Sequence, residues 1–372
     1  MQTGEALHWD VFCHVVDNHG DLGVCWRLAR RLAALGQQVR LWVDDASALA
    51  WMAPNGARGV RVLPWREPTA DERPGEVVVE TFGCDPPIGF VERMAGAPRA
   101  PVWINLEYLS AEAYAARSHA MRSPQLQGPA AGLDKWFFYP GFTPATGGLL
   151  REDGLAEERE RFEPAAWLAT LGIAAAPADR LLSLFCYQQP ALAHCLTRWQ
   201  TMPTQLLVTP GPAARQVAAL LACSGEPGSS VRQGALQVHF LPWLTQDDYD
   251  RLLWSCDLNH VRGEDSLVRA LWAARPFVWQ LYPQHDGAHQ AKLDAFLGVY
   301  LQGAPPALVQ ALRSRFHQWN GVPNGRADAP ADEPDRAAWR LHAQTRCGAM
   351  EDAATRDGDL ASRLYRFAIS TG

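Results

Sequence analysis

The sequence predicts an α/β fold in which two Rossmann-like domains, each with a parallel sheet, face each other across a central cleft. Along both halves of the chain, short apolar runs typical of buried strands alternate with segments typical of helices. A dense charged run over residues 151–163 separates the two series and indicates a solvated helix or linker. The length of 372 residues is comfortable for two domains.

The first domain opens with a strand–helix–strand unit. The apolar run over residues 9–16 predicts a buried strand, and alternating residues over 39–43 predict a second one. The helix between them is indicated by apolar residues at spacings of four, four and three, which share one face: Val24, Leu28, Leu32 and Leu35. Gly36 is suited to end this helix. Further strands are expected over residues 76–81, 101–106 and 136–139.

The second domain repeats the alternation of strand and helix. Strands are expected over residues 181–187, 205–209, 237–241, 258–261 and 277–282. Helices are expected over residues 191–199, 212–223, 246–256, 266–275 and 289–297. A last amphipathic helix is expected over residues 356–369. The predicted boundaries are therefore 1–165 for the first domain, 166–350 for the second, and 351–372 for a C-terminal helix that packs back on the first domain.

Composition and charge argue against several classes of protein. Hydrophobic residues make up 48% of the chain and charged residues 20%, as in globular proteins. The net charge of -6 gives no basic field for nucleic acid or an acidic membrane. No apolar run is long enough to span a membrane, and the N-terminus carries no secretory signal. The eight cysteines form no Cys-x-x-Cys pair, which argues against zinc or a disulfide framework. We expect a cytoplasmic protein.

Two carboxylates occupy the loop that follows the first strand, Asp17-Asn18-His19-Gly20-Asp21. Loops at the carboxyl ends of parallel strands are where open α/β sheets place their chemistry. Because carboxylates repel phosphate, Asp17 and Asp21 suit a cationic substrate or general-base catalysis rather than a nucleotide. The alternative is that Asp21 caps the helix and Asp17 makes a turn.

The corresponding loop of the second domain, Arg262-Gly263-Glu264-Asp265-Ser266, predicts an anion site. Arg262 offers a guanidinium fork, and the N-terminus of the following helix carries partial positive charge. Glu264 and Asp265 are able to accept hydrogen bonds from sugar or ribose hydroxyls. The alternative is a capping arrangement around Ser266.

Three more strand ends bring polar and aromatic side chains to the same predicted edge of the second sheet. Their aromatic rings are suited to stack on a base. The residues are Phe185, Tyr187 and Gln188, then Trp243 and Gln246, then Tyr282 and Gln284. A donor nucleotide in the second domain and a carboxylate loop in the first is the layout of a two-domain glycosyltransferase of the GT-B type.

The chain also resembles one family, the bacterial protein-arginine rhamnosyltransferases that modify translation elongation factor P, or EarP family. The resemblance covers essentially the whole chain. The stretches that carry it are Trp9-Asp10-Val11-Phe12-Cys13, residues 16–30, Asn105-Leu106-Glu107-Tyr108-Leu109-Ser110, Tyr139-Pro140-Gly141-Phe142, residues 261–266, Phe277-Val278-Trp279 and Tyr282-Pro283-Gln284. His19 departs from the phenylalanine expected at that position.

The resemblance implies an inverting transfer of rhamnose from TDP-β-L-rhamnose to the guanidinium of a specific arginine of elongation factor P, with no metal and no other cofactor. The first domain then binds the acceptor and the second binds the nucleotide sugar. Asp21 is implied as the base, Asp17 as its partner and Glu264 as a donor-side catalytic carboxylate. The residues implied for the donor pocket are Phe185, Tyr187, Gln246, Asp265, Ser266 and Tyr282.

Other functions remain open to the residues alone. The first alternative is a GT-B glycosyltransferase that uses another nucleotide sugar on a small acceptor. An oxidoreductase is disfavoured because no Gly-x-Gly-x-x-Gly follows a predicted strand. A pure binding partner of elongation factor P is disfavoured by the ordered donor-side loops.

Overall fold

The computed structural model describes residues 6–16, 19–65, 72–176, 178–282, 288–322 and 334–372. The chain divides into two units, one formed by Met1–Asp153 with Glu351–Gly372 and the other by Gly154–Met350. Each unit contains a mostly parallel sheet with helices between its strands, so the predicted α/β class is confirmed. No helix among the described residues is both long enough and apolar enough to cross a membrane.

The described part of the first unit contains a seven-stranded sheet in the order β3-β2-β1-β4-β5-β7-β6. The strands are β1 His8–Cys13, β2 Gln38–Val43, β3 Val60–Pro64, β4 Val77–Thr81, β5 Val102–Leu106, β6 Met121–Pro124 and β7 Asp134–Phe138. Among the described strands of this sheet, β6 alone runs antiparallel, against β7. The first helices are α1 Gly20–Ala34, α2 Leu49–Met52, α3 Ile88–Ala95 and α4 Ala113–Ser118.

The described part of the second unit contains a six-stranded sheet in the order β10-β11-β9-β8-β12-β13. Its strands are β8 Arg180–Leu184, β9 Thr204–Val208, β10 Ser230–Gln233, β11 Leu236–Phe240, β12 Leu258–Arg262 and β13 Phe277–Gln280. Its helices are α5 Leu155–Arg161, α6 Pro164–Thr170, α7 Leu192–Trp199, α8 Pro212–Leu221, α9 Gln246–Ser255, α10 Gly263–Trp272, α11 Ala288–Tyr300 and α12 Pro306–Trp319.

The chain ends in two helices rather than the one expected over residues 356–369. Helix α13, Arg336–Asp357, runs from the second unit into the first, and α14, Leu360–Thr371, follows it. Gly358 separates them with a φ of +87°, a left-handed conformation that glycine adopts without strain. Leu360 and Leu364 of α14 belong to the same buried core as Leu28 and Leu32 of α1.

Each sheet reverses its strand order at one point. In the first unit β1 lies between β2 and β4, and in the second β8 lies between β9 and β12. Open α/β sheets bind their ligands beside such a reversal, outside the carboxyl ends of the strands. The loops that follow β1, β4, β8 and β12 are therefore the segments to inspect for function.

Three predicted strands end earlier than expected, at Cys13, Leu184 and Gln280. In each case the backbone pairing with the neighbouring strand stops there. The residues that follow are apolar and aromatic, so in the sequence they resemble a continuation of the strand. In the structure they belong to loops at the carboxyl edge. The helix expected from Ser266 begins at Gly263 instead.

A buried ion pair joins α9 and α10, two of the helices that start at the carboxyl edge of the second sheet. Arg269 of α10 and Asp250 of α9 are 2% and 5% exposed. Nε and Nη2 of Arg269 donate to the two carboxylate oxygens of Asp250 at 2.8 and 2.6 Å. Because both charges are out of water, each depends on the other for compensation.

We expect Arg269→Ala to lower the free energy of unfolding by about 3–5 kcal/mol, because it leaves the Asp250 carboxylate buried without its bidentate partner. Urea denaturation followed by circular dichroism measures the change. The control is Arg313→Ala, which removes a half-exposed arginine 3.6 Å from Asp294. That variant should lose less than about 1 kcal/mol. Equal losses in the two variants would contradict the inference that Arg269 offsets the buried charge of Asp250.

Candidate functional site

The carboxyl edge of the second sheet contains a buried arginine that stands on two aromatic rings. Arg262 is the last residue of β12 and is 5% exposed. Its guanidinium carbon lies 4.5 Å from the centre of the Phe185 ring and 4.3 Å from that of the Tyr187 ring. Both rings belong to the loop after β8, directly across the reversal point of the sheet.

The guanidinium of Arg262 forms no salt bridge within the part of the chain that the structure describes. Its Nη1 is buried and has no hydrogen-bond partner there. Ring faces attract a cation, but they accept no conventional hydrogen bond and carry no net charge. A buried cation with a spare donor is costly unless an anion completes it. The arrangement is therefore suited to bind an anionic ligand.

The start of α10 adds backbone donors beside this arginine. Gly263 is the first residue of the helix and has a φ of +68°, which turns the chain directly from strand to helix. Its carbonyl accepts a hydrogen bond from the indole Nε1 of Trp279 at 2.7 Å. The prediction that the helix begins at Ser266 was wrong because it overlooked this turn. Ser266 lies in the buried first turns of α10 and is not its cap.

Hydrogen bonds from neighbouring elements fix the loop that carries the two rings. The amide of Tyr187 donates to the side chain of Gln280 at 2.9 Å, and Gln280 in turn donates to the carbonyl of Gln188 at 3.1 Å. The side-chain amide of Gln216 donates to the carbonyl of Tyr187 at 2.9 Å. Sequence reasoning missed Gln216 and Gln280, because only their contacts with a distant loop distinguish them from other glutamines.

The remaining predicted donor residues that the structure describes lie at or near the same edge. The ring of Tyr282, 58% exposed, meets that of Tyr187 edge to face at 5.4 Å. Trp243 is 46% exposed in the loop after β11, and Gln246 is buried at the start of α9. Glu264 and Asp265 lie in the first turn of α10. Gln284 lies outside the described residues.

In the first unit, the predicted base lies in the first turn of α1. Asp21 is 4% exposed, and its Oδ2 accepts a hydrogen bond from the amide of Val16 at 2.9 Å. The N-cap position belongs to His19, so the alternative in which Asp21 caps the helix does not hold. The His19 ring meets Trp51 edge to face at 5.1 Å, as a phenylalanine would. Asp17 lies outside the described residues.

The thiols around Asp21 are not reactive groups. The pKa of Cys13 is raised by its hydrogen bond with Cys25, by burial and by the charge of Asp21. Burial raises the pKa of Cys84 to about 12. Because thiols that stay protonated are poor nucleophiles and poor metal ligands, the carboxylates are the groups of this edge that are better suited to acid–base chemistry. No group of three or more potential metal-ligating side chains occurs among the residues that the structure describes.

A second carboxylate at this edge, Glu107, follows β5. Asn105 orients it, because its side-chain amide donates to Glu107 Oε1 at 2.8 Å while its carbonyl oxygen accepts from the amide of Gly83 at 3.1 Å. Burial raises the pKa of the Glu107 carboxyl. Sequence reasoning gave this residue no role, although Asn105-Leu106-Glu107 lies in a stretch that carries the family resemblance.

Aromatic rings lie beside Glu107. Tyr108 stacks on Phe82 with ring centres 4.3 Å apart and an interplanar angle of 9°. Phe82 has a φ of +60°, an unusual conformation for a side chain of this size that places it in the loop after β4. Burial and the charge of Glu107 raise the pKa of Tyr139, which contacts Tyr114 edge to face. Carboxylates among aromatic faces are suited to bind an organic cation.

Comparison with known proteins agrees with these features. A model of the family described as "Elongation-Factor P (EF-P) rhamnosyltransferase EarP" matches residues 9–369. A protein-arginine rhamnosyltransferase of Pseudomonas aeruginosa is 44% identical over 377 residues, which cover 96% of this chain and 98% of the relative. Its counterpart in Pseudomonas putida is 45% identical over 332 residues, which cover 84% of this chain and 86% of the relative.

Solved structures agree on the fold. The structure described as "Structural basis for EarP-mediated arginine glycosylation of translation elongation factor EF-P" matches with a TM-score of 0.69 at 31% identity, covering 98% of this chain and 100% of that one. The glycosyltransferase of kitacinnamycin matches with a TM-score of 0.53 at 13% identity, covering 98% of this chain and 100% of that one. At that identity the likeness shows the fold alone, and it confirms the predicted GT-B class.

We expect Gly263→Ala to destabilise the protein by about 1–2 kcal/mol, because an L side chain at this left-handed φ meets the following carbonyl. The matched control is Gly298→Ala in the exposed last turn of α11, where an added Cβ meets no atom within 4 Å. That variant should gain up to about 1 kcal/mol from helix propensity. Urea denaturation compares the two, and a neutral Gly263→Ala would show that the turn tolerates any residue.

Proposed function

The chain belongs to the EarP family of elongation factor P rhamnosyltransferases, and we propose that it transfers rhamnose from TDP-β-L-rhamnose to the guanidinium of a specific arginine of elongation factor P. Support for the reaction class comes from relatives named protein-arginine rhamnosyltransferase. The acceptor is a translation factor, so we place the reaction in the cytoplasm.

One observation carries the proposal more than any other: the buried guanidinium of Arg262 on the rings of Phe185 and Tyr187, with a spare donor at Nη1. The diphosphate of TDP is the anion that fits this cation. The neighbouring Tyr282, more than half exposed, offers a ring face to the base or the sugar. Asp265, Ser266, Gln246, Gln188, Trp243 and Gln284 complete the proposed donor pocket.

The guanidinium of the acceptor arginine is a poor nucleophile, and the carboxylates of the first unit are suited to activate it. An arginine side chain stays protonated in water because its pKa is above about 12. In our proposal the carboxylates of Asp21 and Asp17 hold the guanidinium, localise its charge and draw off a proton as the new bond forms. Glu107, already oriented by Asn105, is a third carboxylate able to hold the cation.

The donor reacts by inversion in this proposal. The guanidinium nitrogen attacks the anomeric carbon from the face opposite the leaving TDP, so the β-linked donor gives an α-linked product. The sugar carbon develops oxocarbenium character, as in glycoside hydrolysis. Arg262 and the backbone amides at the start of α10 stabilise the charge that grows on TDP, which is the role a metal ion has in other transferases. Glu264 is the donor-side carboxylate.

Intact mass spectrometry of elongation factor P, after incubation with the protein and TDP-rhamnose, tests the proposal. We expect a mass increase of one rhamnosyl group, lost when the acceptor arginine is replaced by lysine. The alternative, another nucleotide sugar on a small acceptor, predicts an unchanged acceptor mass and release of TDP or UDP only when a small acceptor is supplied.

We expect Asp21→Asn to lower kcat for rhamnosyl transfer by about 10²–10⁴, the usual range for loss of a general base. The affinity for TDP should not change, because the nucleotide binds in the other unit. The matched control is Asp44→Asn, whose carboxylate accepts from the amide of Val15 in the same loop at 3.0 Å. Asp44→Asn should retain transfer. Transfer at the unsubstituted rate by Asp21→Asn would remove Asp21 from the mechanism.

We expect Arg262→Ala to weaken TDP binding by about 10- to 100-fold, because a charge-assisted hydrogen bond contributes roughly 1.5–3 kcal/mol. Isothermal titration calorimetry with TDP alone measures this. Arg180→Ala serves as the control, since it removes a buried arginine at the opposite edge of the same sheet. If the two variants bind TDP equally well, the diphosphate does not contact Arg262.

A further inference from the structure

The carboxylate of Glu264 forms an ion pair that the proposed function does not use. Nζ of Lys292 lies 2.5 Å from Oε1 of Glu264. The two side chains are 27% and 18% exposed, so the pair is partly withdrawn from water. Glu264 comes two residues after Arg262, in the first turn of α10, and Lys292 lies near the start of α11. The pair therefore stands beside the proposed diphosphate site.

Packing of α11 on the sheet fixes the position of Lys292. Phe296, one turn further along α11, meets the ring of Trp279 in β13 edge to face at 5.2 Å. Residues four apart share a helix face, so Lys292 and Phe296 point to the same side. Trp279 also donates to the carbonyl of Gly263 at the start of α10. Trp279 thus contacts both α11, which carries Lys292, and the turn that precedes Glu264.

The ion pair of Lys292 and Glu264 affects the net charge beside the proposed diphosphate site. Arg262, Glu264, Asp265 and Lys292 have formal charges of +1, −1, −1 and +1, which sum to zero. Without Lys292 the sum is −1, beside the place proposed for a diphosphate. A carboxylate near a diphosphate repels it unless a cation lies close enough to offset its charge.

The type of cation is also informative. The chain has 34 lysines and arginines, and lysine occurs at only two of these positions, 135 and 292. A lysine ammonium is a compact point charge, whereas an arginine presents a planar fork that matches both carboxylate and phosphate. Opposite Glu264, an ammonium is able to offset one carboxylate without a second fork that would compete with Arg262 for phosphate oxygens.

We propose that Lys292 is a positioning residue for donor binding: it holds the Glu264 carboxylate in place and offsets its charge, so that a nucleoside diphosphate sugar binds next to Arg262 while Glu264 stays available to the sugar. This inference rests on the proposed function. It assigns Lys292 an effect that passes through Glu264 and not through direct contact with the nucleotide.

A double-mutant cycle separates these two possibilities. TDP affinity is measured by calorimetry for the unsubstituted protein, Lys292→Met, Glu264→Gln and the double variant. Methionine retains the aliphatic stem and removes the charge. We expect Lys292→Met to weaken TDP binding by about tenfold or more, as for loss of a charge-assisted contact. In the Glu264→Gln background the same substitution should change affinity by less than about twofold, because the carboxylate that Lys292 pairs with is no longer charged.

Two further measurements exclude a merely structural effect. Lys292→Arg keeps the charge and should recover part of the TDP affinity that Lys292→Met loses, but not all of it, because the arginine fork is able to compete with Arg262 for phosphate oxygens. In steady-state transfer, Lys292→Met should raise KM for TDP-rhamnose and leave KM for elongation factor P unchanged. The control is Arg313→Met, which removes a partly exposed cation that pairs with Asp294 in the same unit. This variant should bind TDP normally.

Three other outcomes would overturn the inference about Lys292, and one of them would also overturn the proposed function. Equal weakening by Lys292→Met in both backgrounds would show direct contact with the nucleotide and overturn the inference. Unchanged TDP affinity in Lys292→Met would also overturn it, while leaving the proposed function intact. Failure of the unsubstituted protein to bind TDP would overturn both, and the mass-spectrometric assay would then show no rhamnosyl transfer.

Discussion

The proposed donor site depends on one physical constraint, a guanidinium that is buried without a salt bridge to any described residue. Arg262 is 5% exposed, stacks on Phe185 and Tyr187, and has a spare donor at Nη1. The surrounding structure keeps this costly arrangement in place. Gln280 and Gln216 fix the loop that carries the two rings, and the buried Arg269–Asp250 pair joins α10 to α9. These contacts hold the guanidinium of Arg262 in a position that is suited to bind an anion.

The carboxyl edge of the first sheet has the opposite character. Asp21 and Glu107 are acidic, and Phe82, Tyr108 and Tyr139 lie beside Glu107 or interact with it. The two reactants of the proposed reaction also have opposite charges, since the nucleotide sugar is an anion and arginine is a cation. In the proposed reaction, Arg262 attracts the anionic nucleotide sugar, and the carboxylates of the first unit attract the cationic acceptor. The same groups then serve the chemistry, because the base must be anionic and the leaving-group site cationic.

Local pattern was sufficient to predict the alternation of strands and helices, whereas the roles that it assigned to two loops at the carboxyl edges stay predictions. It failed where structure depends on partners distant in sequence. Strands β3, β6 and β10 were missed because they lie at sheet edges and carry partly exposed residues in place of an apolar run. The roles of Gln280 and Lys292 come from contacts 93 and 28 residues away. Family resemblance supplied the donor and acceptor, which periodicity and charge alone do not specify.

We propose that a nucleoside diphosphate occupies the edge of the second sheet at Arg262. A crystal structure of the protein with TDP tests this most directly. The account predicts diphosphate oxygens within hydrogen-bond distance of the Arg262 guanidinium and of backbone amides at the start of α10, with no metal ion between them. A diphosphate bound elsewhere, or one held at this edge through a metal ion while Arg262 stays on its two rings without contact, would contradict it.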